Sequence, residues 1–151
     1  RIQMLQLAIA DHPSIDLDLI EIEAGGTSYA IDTITTLQGH FGETIPLRLL
    51  IGDDQAVVFN TWRAWERIIS ISPPAVMPRV CNTAAAFADL LRHQGSWTPQ
   101  EIVRWTSWRL DLPIIDATST EARSLIAEGE DGADLLDPAV LAYIQEHDLY
   151  R

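Results

Sequence analysis

Residues able to do chemistry gather in two places. The first is Leu49-Leu50-Ile51-Gly52-Asp53-Asp54, followed closely by Phe59-Asn60-Thr61-Trp62-Arg63-Ala64-Trp65-Glu66. An apolar strand that runs into Gly and carboxylates is the ligand position of an open α/β sheet, at the carboxyl edge of a parallel strand. Trp62, read as lying on the first turn of a new helix, adds a flat face for an aromatic ring. Together they suggest a pocket for a ribose and a planar base. The second group is Thr118-Ser119-Thr120-Glu121-Ala122-Arg123, after the apolar run Leu112-Pro113-Ile114-Ile115. Hydroxyls and free backbone N–H groups at a helix start form an anion site. Arg123, one turn in, offers a planar fork for a phosphate. A plainly capped helix with a surface Arg explains the same residues.

These groups need elements to hold them. Ile2–Ala10 reads as a helix, with Met4, Leu5, Ala8 and Ile9 at helical spacing, ended by Asp11-His12-Pro13. Ile15–Ile22 alternates apolar and acidic residues and predicts a half-exposed strand. Gly25-Gly26-Thr27-Ser28 is a turn into a helix over Tyr29–Phe41. A buried strand is expected over Pro46–Ile51, a helix over Trp62–Ile71 and a strand start at Ala75–Met77. Thr83–His93 reads as an Ala-rich helix. Glu101–Leu112 is ambiguous, because Trp105 and Trp108 stand at helical spacing while an expected strand leads to Ile115. Glu121–Ala127 and Pro138–His147 read as helices, the second with Asp137 as N-cap and Pro138 at its first position. Alternating strands and helices predict a parallel sheet with helical crossovers.

The 151 residues are sized for one domain, and an apolar content of 47% supports a core. The net charge of −12 argues against nucleic-acid or anionic-membrane surfaces, which need a basic footprint. It is compatible with a small anionic ligand held by a few arginines, for which Arg79 and Arg123 would serve. The lone Cys81 gives no disulfide framework and no Cys-based zinc site, which fits a cytoplasmic location. No run has transmembrane length. No Walker-type loop, dinucleotide Gly fingerprint or Gly-x-Ser-x-Gly elbow occurs.

Taken in order, the motifs resemble bacterial nicotinate-nucleotide adenylyltransferases, of the nucleotidyltransferase superfamily. Arg1, Met4, Leu5, Leu7 and Ala8 match an opening Arg before Met-Leu-x-Leu-Ala. Gly25, Gly26, Ser28, Tyr29, Asp32 and Thr33 match Gly-Gly-x-Ser-Tyr-x-x-Asp-Thr. Ile51, Gly52, Asp54, Thr61, Trp62, Trp65 and Glu66 match Ile-Gly-x-Asp and Thr-Trp-x-x-Trp-Glu, and Pro78-Arg79 follows. Thr118 to Arg123 matches Ser-Ser-Thr-x-Ile-Arg, and Val140, Tyr143, Ile144, Leu149 and Tyr150 match the closing helix. The family's His-x-Gly-His loop is not among these residues: His12, His40, His93 and His147 lack that spacing, and the sequence has no lysine. The expectation is a Rossmann-like nucleotidyltransferase fold, α/β, a parallel sheet flanked by helices, without its first strands. On that expectation residues 1–151 form a single, N-terminally incomplete domain, inactive alone because the main catalytic residues lie elsewhere.

The resemblance implies adenylyl transfer from ATP to nicotinate mononucleotide. It assigns Ser28, Tyr29, Trp62 and Arg63 to the mononucleotide. Gly52, Asp54, Arg79, Ser119, Thr120 and Arg123 go to ATP, with Arg1 a weaker phosphate contact. Asp53 is set aside because the matching Asp is Asp54. Ala30 stands where the family usually carries Thr, and Arg63 where it often has His or Tyr. Mg²⁺ would arrive with ATP, keeping most of its waters. A homo-oligomer is left open. The alternatives are a nicotinamide-nucleotide or pantetheine-phosphate adenylyltransferase, or a non-catalytic nucleotide-binding remnant.

Overall fold

A computed structural model describes residues 1–130, 132 and 134–150. The chain divides into two compact units: one is residues 20–115, and the other joins residues 1–19 to 116–151.

In the 20–115 unit, α2 (Ile20–Ala24) and α3 (Ala30–Phe41) lead to β1 (Leu49–Gly52). Helix α4 (Asp53–Val58), a 3₁₀ turn (Phe59–Thr61), α5 (Trp65–Ile71), β2 (Pro74–Met77), α6 (Ala84–Gln94) and α7 (Pro99–Ser107) follow. Strands β1 and β2 pair in parallel, Leu49 opposite Pro74 and Gly52 opposite Met77. The result is a helix-rich fold around a small two-stranded parallel sheet, compatible with the expected α/β class.

Several helix ends follow from local chemistry. Thr83 caps α6 by accepting the Ala86 N–H at 3.1 Å. Thr98 and Glu101 form a reciprocal capping box on α7, with Pro99 in the first turn. The Thr98 hydroxyl and N–H hold the Glu101 carboxyl below the usual carboxylate range. Asp53 and Asp54 occupy the first turn of α4, where negative charge suits the helix dipole.

The core of this unit is aromatic. Phe59 and Trp105 are almost wholly buried, and their rings meet edge to face at 5.2 Å. Trp62 stacks on Phe59 at 4.7 Å. Trp97 tilts against Trp105 at 5.2 Å and donates its indole N–H to the Ala56 carbonyl at 3.0 Å. Trp65 meets Trp97, and Trp108 meets Trp105, both edge to face.

The second unit packs α1 (Ile2–Ile9) on α9 (Pro138–Glu146), with α8 (Ser119–Ala127) in the same unit. Ile126, Val140 and Ile144 are buried there, against Met4, Leu7 and Ala8. Thr118 caps α8 through the Glu121 N–H, and Asp137 caps α9 through the Ala139 N–H.

Four expectations need correction. The alternation over 15–22 forms no strand: residues 15–19 are irregular and α2 begins at Ile20. Alternation fixes which side chains face inward only if a neighbouring strand supplies a ladder, and this segment has none. The strand expected at 46–51 starts at Leu49, past Pro46, which has no N–H to give. Residues 112–115 form no strand either. Val76 hydrogen-bonds Trp108 and Leu110 around an isolated bridge with Arg109, after which Pro113 lacks a donor and Ile115 is 80% exposed. The ambiguous 101–112 stretch is thus helix to Ser107, then a bridge. Finally, the helix expected from Trp62 starts at Trp65, because Ala64 adopts a left-handed conformation (φ 53°) that interrupts it.

Phe59 links the core to Trp62, so Phe59→Ala should cost about 3–5 kcal/mol. Equilibrium denaturation checks this. A loss below about 1 kcal/mol would show that the aromatic cluster does not hold the unit together.

Candidate functional site

The carboxyl end of β1 is shaped by three residues in a row. Gly52 is buried in extended backbone, and a Cβ there would collide with Asp54 Oδ1 and stand 2.5 Å from Arg79 Cδ. Only glycine lets the Asp54 and Arg79 side chains close over the strand end. Asp54 Oδ2 lies 3.6 Å from Arg79 Nη1 and accepts from Gln55 Nε2 at 3.1 Å. Asp54 Oδ1 is buried and lacks a hydrogen-bond partner among the described residues.

Asp53 points the other way and is fully buried. Its carboxylate accepts the N–H groups of Arg79 (3.0 Å), Val80 (3.0 Å) and Cys81 (2.8 Å). Next to it the guanidinium of Arg109 donates to the carbonyls of Cys81 at 2.9 Å and Leu110 at 3.2 Å. The loop after β2 is therefore held from both sides.

A separate cavity of about 390 Å³ lies in the same unit, lined by Ser28, Tyr29, Ala30, Thr61, Trp62, Arg63 and Ile68. Its volume falls in the range of about 300–1,000 Å³ common for small-molecule sites. Trp62 is half-buried, with Phe59 stacked on it. The Arg63 guanidinium sits 4.5 Å over the Tyr29 ring. That contact orients the cation and leaves the edge of its fork free to donate. Ser28 Oγ donates to the Glu21 carbonyl at 3.4 Å, and Tyr29 takes the N-cap position of α3 without a side-chain cap.

The residues first read as a mononucleotide site, Ser28, Tyr29, Trp62 and Arg63, thus come together around one cavity. Gly52, Asp54 and Arg79 come together at the end of β1. Ser119, Thr120 and Arg123 share the first turns of α8, all exposed, and Arg123 Nη2 donates to Thr120 Oγ1 at 3.3 Å. Arg1 is exposed and caps α1 without a side-chain bond. Among the described residues no group of three or more His, Cys, Asp or Glu side chains is placed to hold a metal ion. No helix is long and apolar enough to cross a membrane.

Known proteins place this arrangement. A protein of Chromobacterium violaceum named "probable nicotinate-nucleotide adenylyltransferase" is 32% identical over the whole of this chain, which covers 74% of that relative. The chain belongs to the nicotinate-nucleotide adenylyltransferase family. Relatives of the same name from Stenotrophomonas maltophilia and Bordetella pertussis are 33% and 34% identical, again over the whole chain, which spans 74% and 72% of them. No family model matches the sequence. The ordered motifs had pointed to this family, and it is shown at the level of whole-chain similarity.

Asp53 was passed over in the sequence because the family motif matches Asp54. Successive residues at the start of α4 point about 100° apart, so the two adjacent carboxylates face different surroundings, but which of them turns inward depends on the distant amides of residues 79–81. Thr61 and Ile68 also line the cavity.

Cys81 gives a pH test of this neighbourhood. Burial pushes its thiol above the ordinary value, the Asp53 charge and a hydrogen bond to Asp53 push the same way, and Arg109 opposes them weakly. A group whose folded pKa is raised lends stability that is complete below its unfolded pKa and lost as pH rises through the folded value. Stability should therefore fall on going from pH 8 to pH 10 more steeply in the wild type than in Cys81→Ala. Chemical denaturation at several pH values checks this, and parallel slopes would contradict it.

Proposed function

We propose that this protein transfers an adenylyl group from ATP to nicotinate mononucleotide, giving deamido-NAD and pyrophosphate, a step of NAD biosynthesis. The carrying observation is the cavity in which Trp62, backed by Phe59, shares the lining with Arg63 and Tyr29. A flat indole suits a pyridine ring, and a guanidinium beside it suits the ring carboxylate. The printed names of the relatives support the same reading.

In the reaction a phosphate oxygen of the mononucleotide forms a bond to the α-phosphorus of ATP. The bond from that phosphorus to the bridging oxygen breaks, and pyrophosphate leaves with the electron pair. Positioning and charge stabilisation dominate such a step. Ser28, Tyr29, Trp62 and Arg63 would hold the mononucleotide. The Asp54 carboxylate, whose side chain is 34% exposed, would accept from a ribose hydroxyl of the adenosine part, with Gly52 leaving room and Arg79 adding positive charge. The α8 start, with Ser119, Thr120 and Arg123, is assigned to the triphosphate on the family likeness and on its free helix N–H groups. Mg²⁺ would enter on the ATP phosphates.

Two experiments test these assignments. In the full-length protein, which carries the catalytic residues expected outside residues 1–151, Trp62→Ala should raise the KM for nicotinate mononucleotide about tenfold, near 1.4 kcal/mol, and leave that for ATP nearly unchanged. The wild type should prefer the acid over the amide, which carries no charge to meet Arg63. Steady-state kinetics with both mononucleotides decides. Equal use of acid and amide, or damage to ATP instead, would make Trp62 a packing residue. Thr120→Ala with Arg123→Ala should weaken ATP far more than the mononucleotide, each lost charge-assisted hydrogen bond being worth roughly 1.5–3 kcal/mol. Equal losses would remove α8 from the triphosphate.

A further inference from the structure

We propose that Asp53 is a positioning residue: its buried carboxylate gathers the backbone amides of Arg79, Val80 and Cys81 and so fixes the Arg79 side chain over Gly52 and against Asp54. The proposal rests on the reading of Asp54 and Arg79 as the ATP side of the site, and deepens it.

Asp53 is fully buried, and burial of an ionised carboxylate is costly unless its oxygens are hydrogen-bonded. Here both are. Oδ1 accepts from Arg79 and Val80 at 3.0 Å each, and Oδ2 accepts from Cys81 at 2.8 Å and more weakly from Val80 at 3.3 Å. Three successive N–H groups converging on one carboxylate define the path of the loop that leaves β2.

This anchoring has a directional effect. Arg79 is the first residue of the anchored loop, and its backbone N–H is itself one of the bonds. With that backbone fixed, its stem crosses the face of Gly52, where a Cβ would stand 3.2 Å from Cγ. Its head then lies 3.6 Å from Asp54 Oδ2. The Arg79 side chain is 58% exposed, so little packing holds it beyond its own backbone and Asp54. The Asp54 carboxylate is held in turn through its other oxygen, by Arg79 at 3.6 Å and by Gln55 at 3.1 Å. Adjacent carboxylates thus divide the work: Asp54 faces the ligand, and Asp53 holds the cation that aligns Asp54.

A merely structural carboxylate would affect stability alone, so the test is a double-mutant cycle read by kinetics. Asp53→Asn keeps the size but removes the charge and turns one acceptor into a donor facing a backbone N–H. It should raise the KM for ATP about tenfold while kcat and the KM for nicotinate mononucleotide stay within about twofold. In an Arg79→Ala background the same substitution should change the KM for ATP by less than about twofold. A tenfold effect in both backgrounds, or lost stability with no change in KM, overturns the proposal.

Amide hydrogen exchange of the wild type needs no variant. The amides of Arg79, Val80 and Cys81 should exchange as slowly as those of β2, and exchange at exposed-loop rates overturns the proposal even if Asp53→Asn does not fold. A full-length wild type that transfers no adenylyl group would overturn the functional reading instead, and the exchange rates would then decide the loop on their own.

Discussion

A carboxylate with no access to water must find its hydrogen bonds in the protein, and Asp53 finds them in the loop that leaves the neighbouring strand. The two strands form only a short parallel pair, with the register Leu49–Pro74 to Gly52–Met77. A pair this short carries few ladder bonds. The fan of three amides on Asp53 extends the connection beyond the last paired residues. Arg109 closes the other side of the loop through the Cys81 carbonyl, and the isolated bridge at Val76 ties the end of α7 to the same strand. Gly52, Asp54 and Arg79 of the candidate site all stand on this framework.

Behind it lies an aromatic cluster in which no ring packs alone. Phe59 touches Trp62 and Trp105, and Trp105 touches Trp97 and Trp108. The edge-to-face and stacked geometries match those that ring quadrupoles favour. The indole N–H of Trp97 meets the Ala56 carbonyl, so the largest polar handle in this core is satisfied. The cavity wall at Trp62 is therefore backed by a packed ring, as a site meant to hold a flat ligand in one orientation requires.

Much of this was legible in the sequence, and the misses share a cause. Helices with a sustained apolar face, such as α3, α6, α8 and α9, were placed within a residue or two. Their signals are local, and Thr83, Thr118 and Asp137 cap as their types suggest. The strands were less legible, because pairing is decided by distant chain. Residues 15–22 alternate as a strand should and are not one, and the run before Asp116 fails at Pro113. Of the residues around the cavity, Trp62 was singled out by its type after a strand end, whereas Ser28 and Tyr29 came only from the family likeness. Asp53 was missed because its role depends on amides 26 to 28 residues away, which no spacing rule reveals.

Ala64, like Asp148 and Tyr150 among the described residues, is a left-handed residue that is not glycine. On an unbroken helix, Trp62 and Trp65 would sit on the same face, three residues apart, and compete for the same neighbours. The reversal at Ala64 sends them to different addresses: one to Phe59 and the cavity, the other to Trp97. One left-handed residue thereby lets two neighbouring indoles reach opposite ends of a single ring cluster, Trp62 at the cavity wall and Trp65 at Trp97.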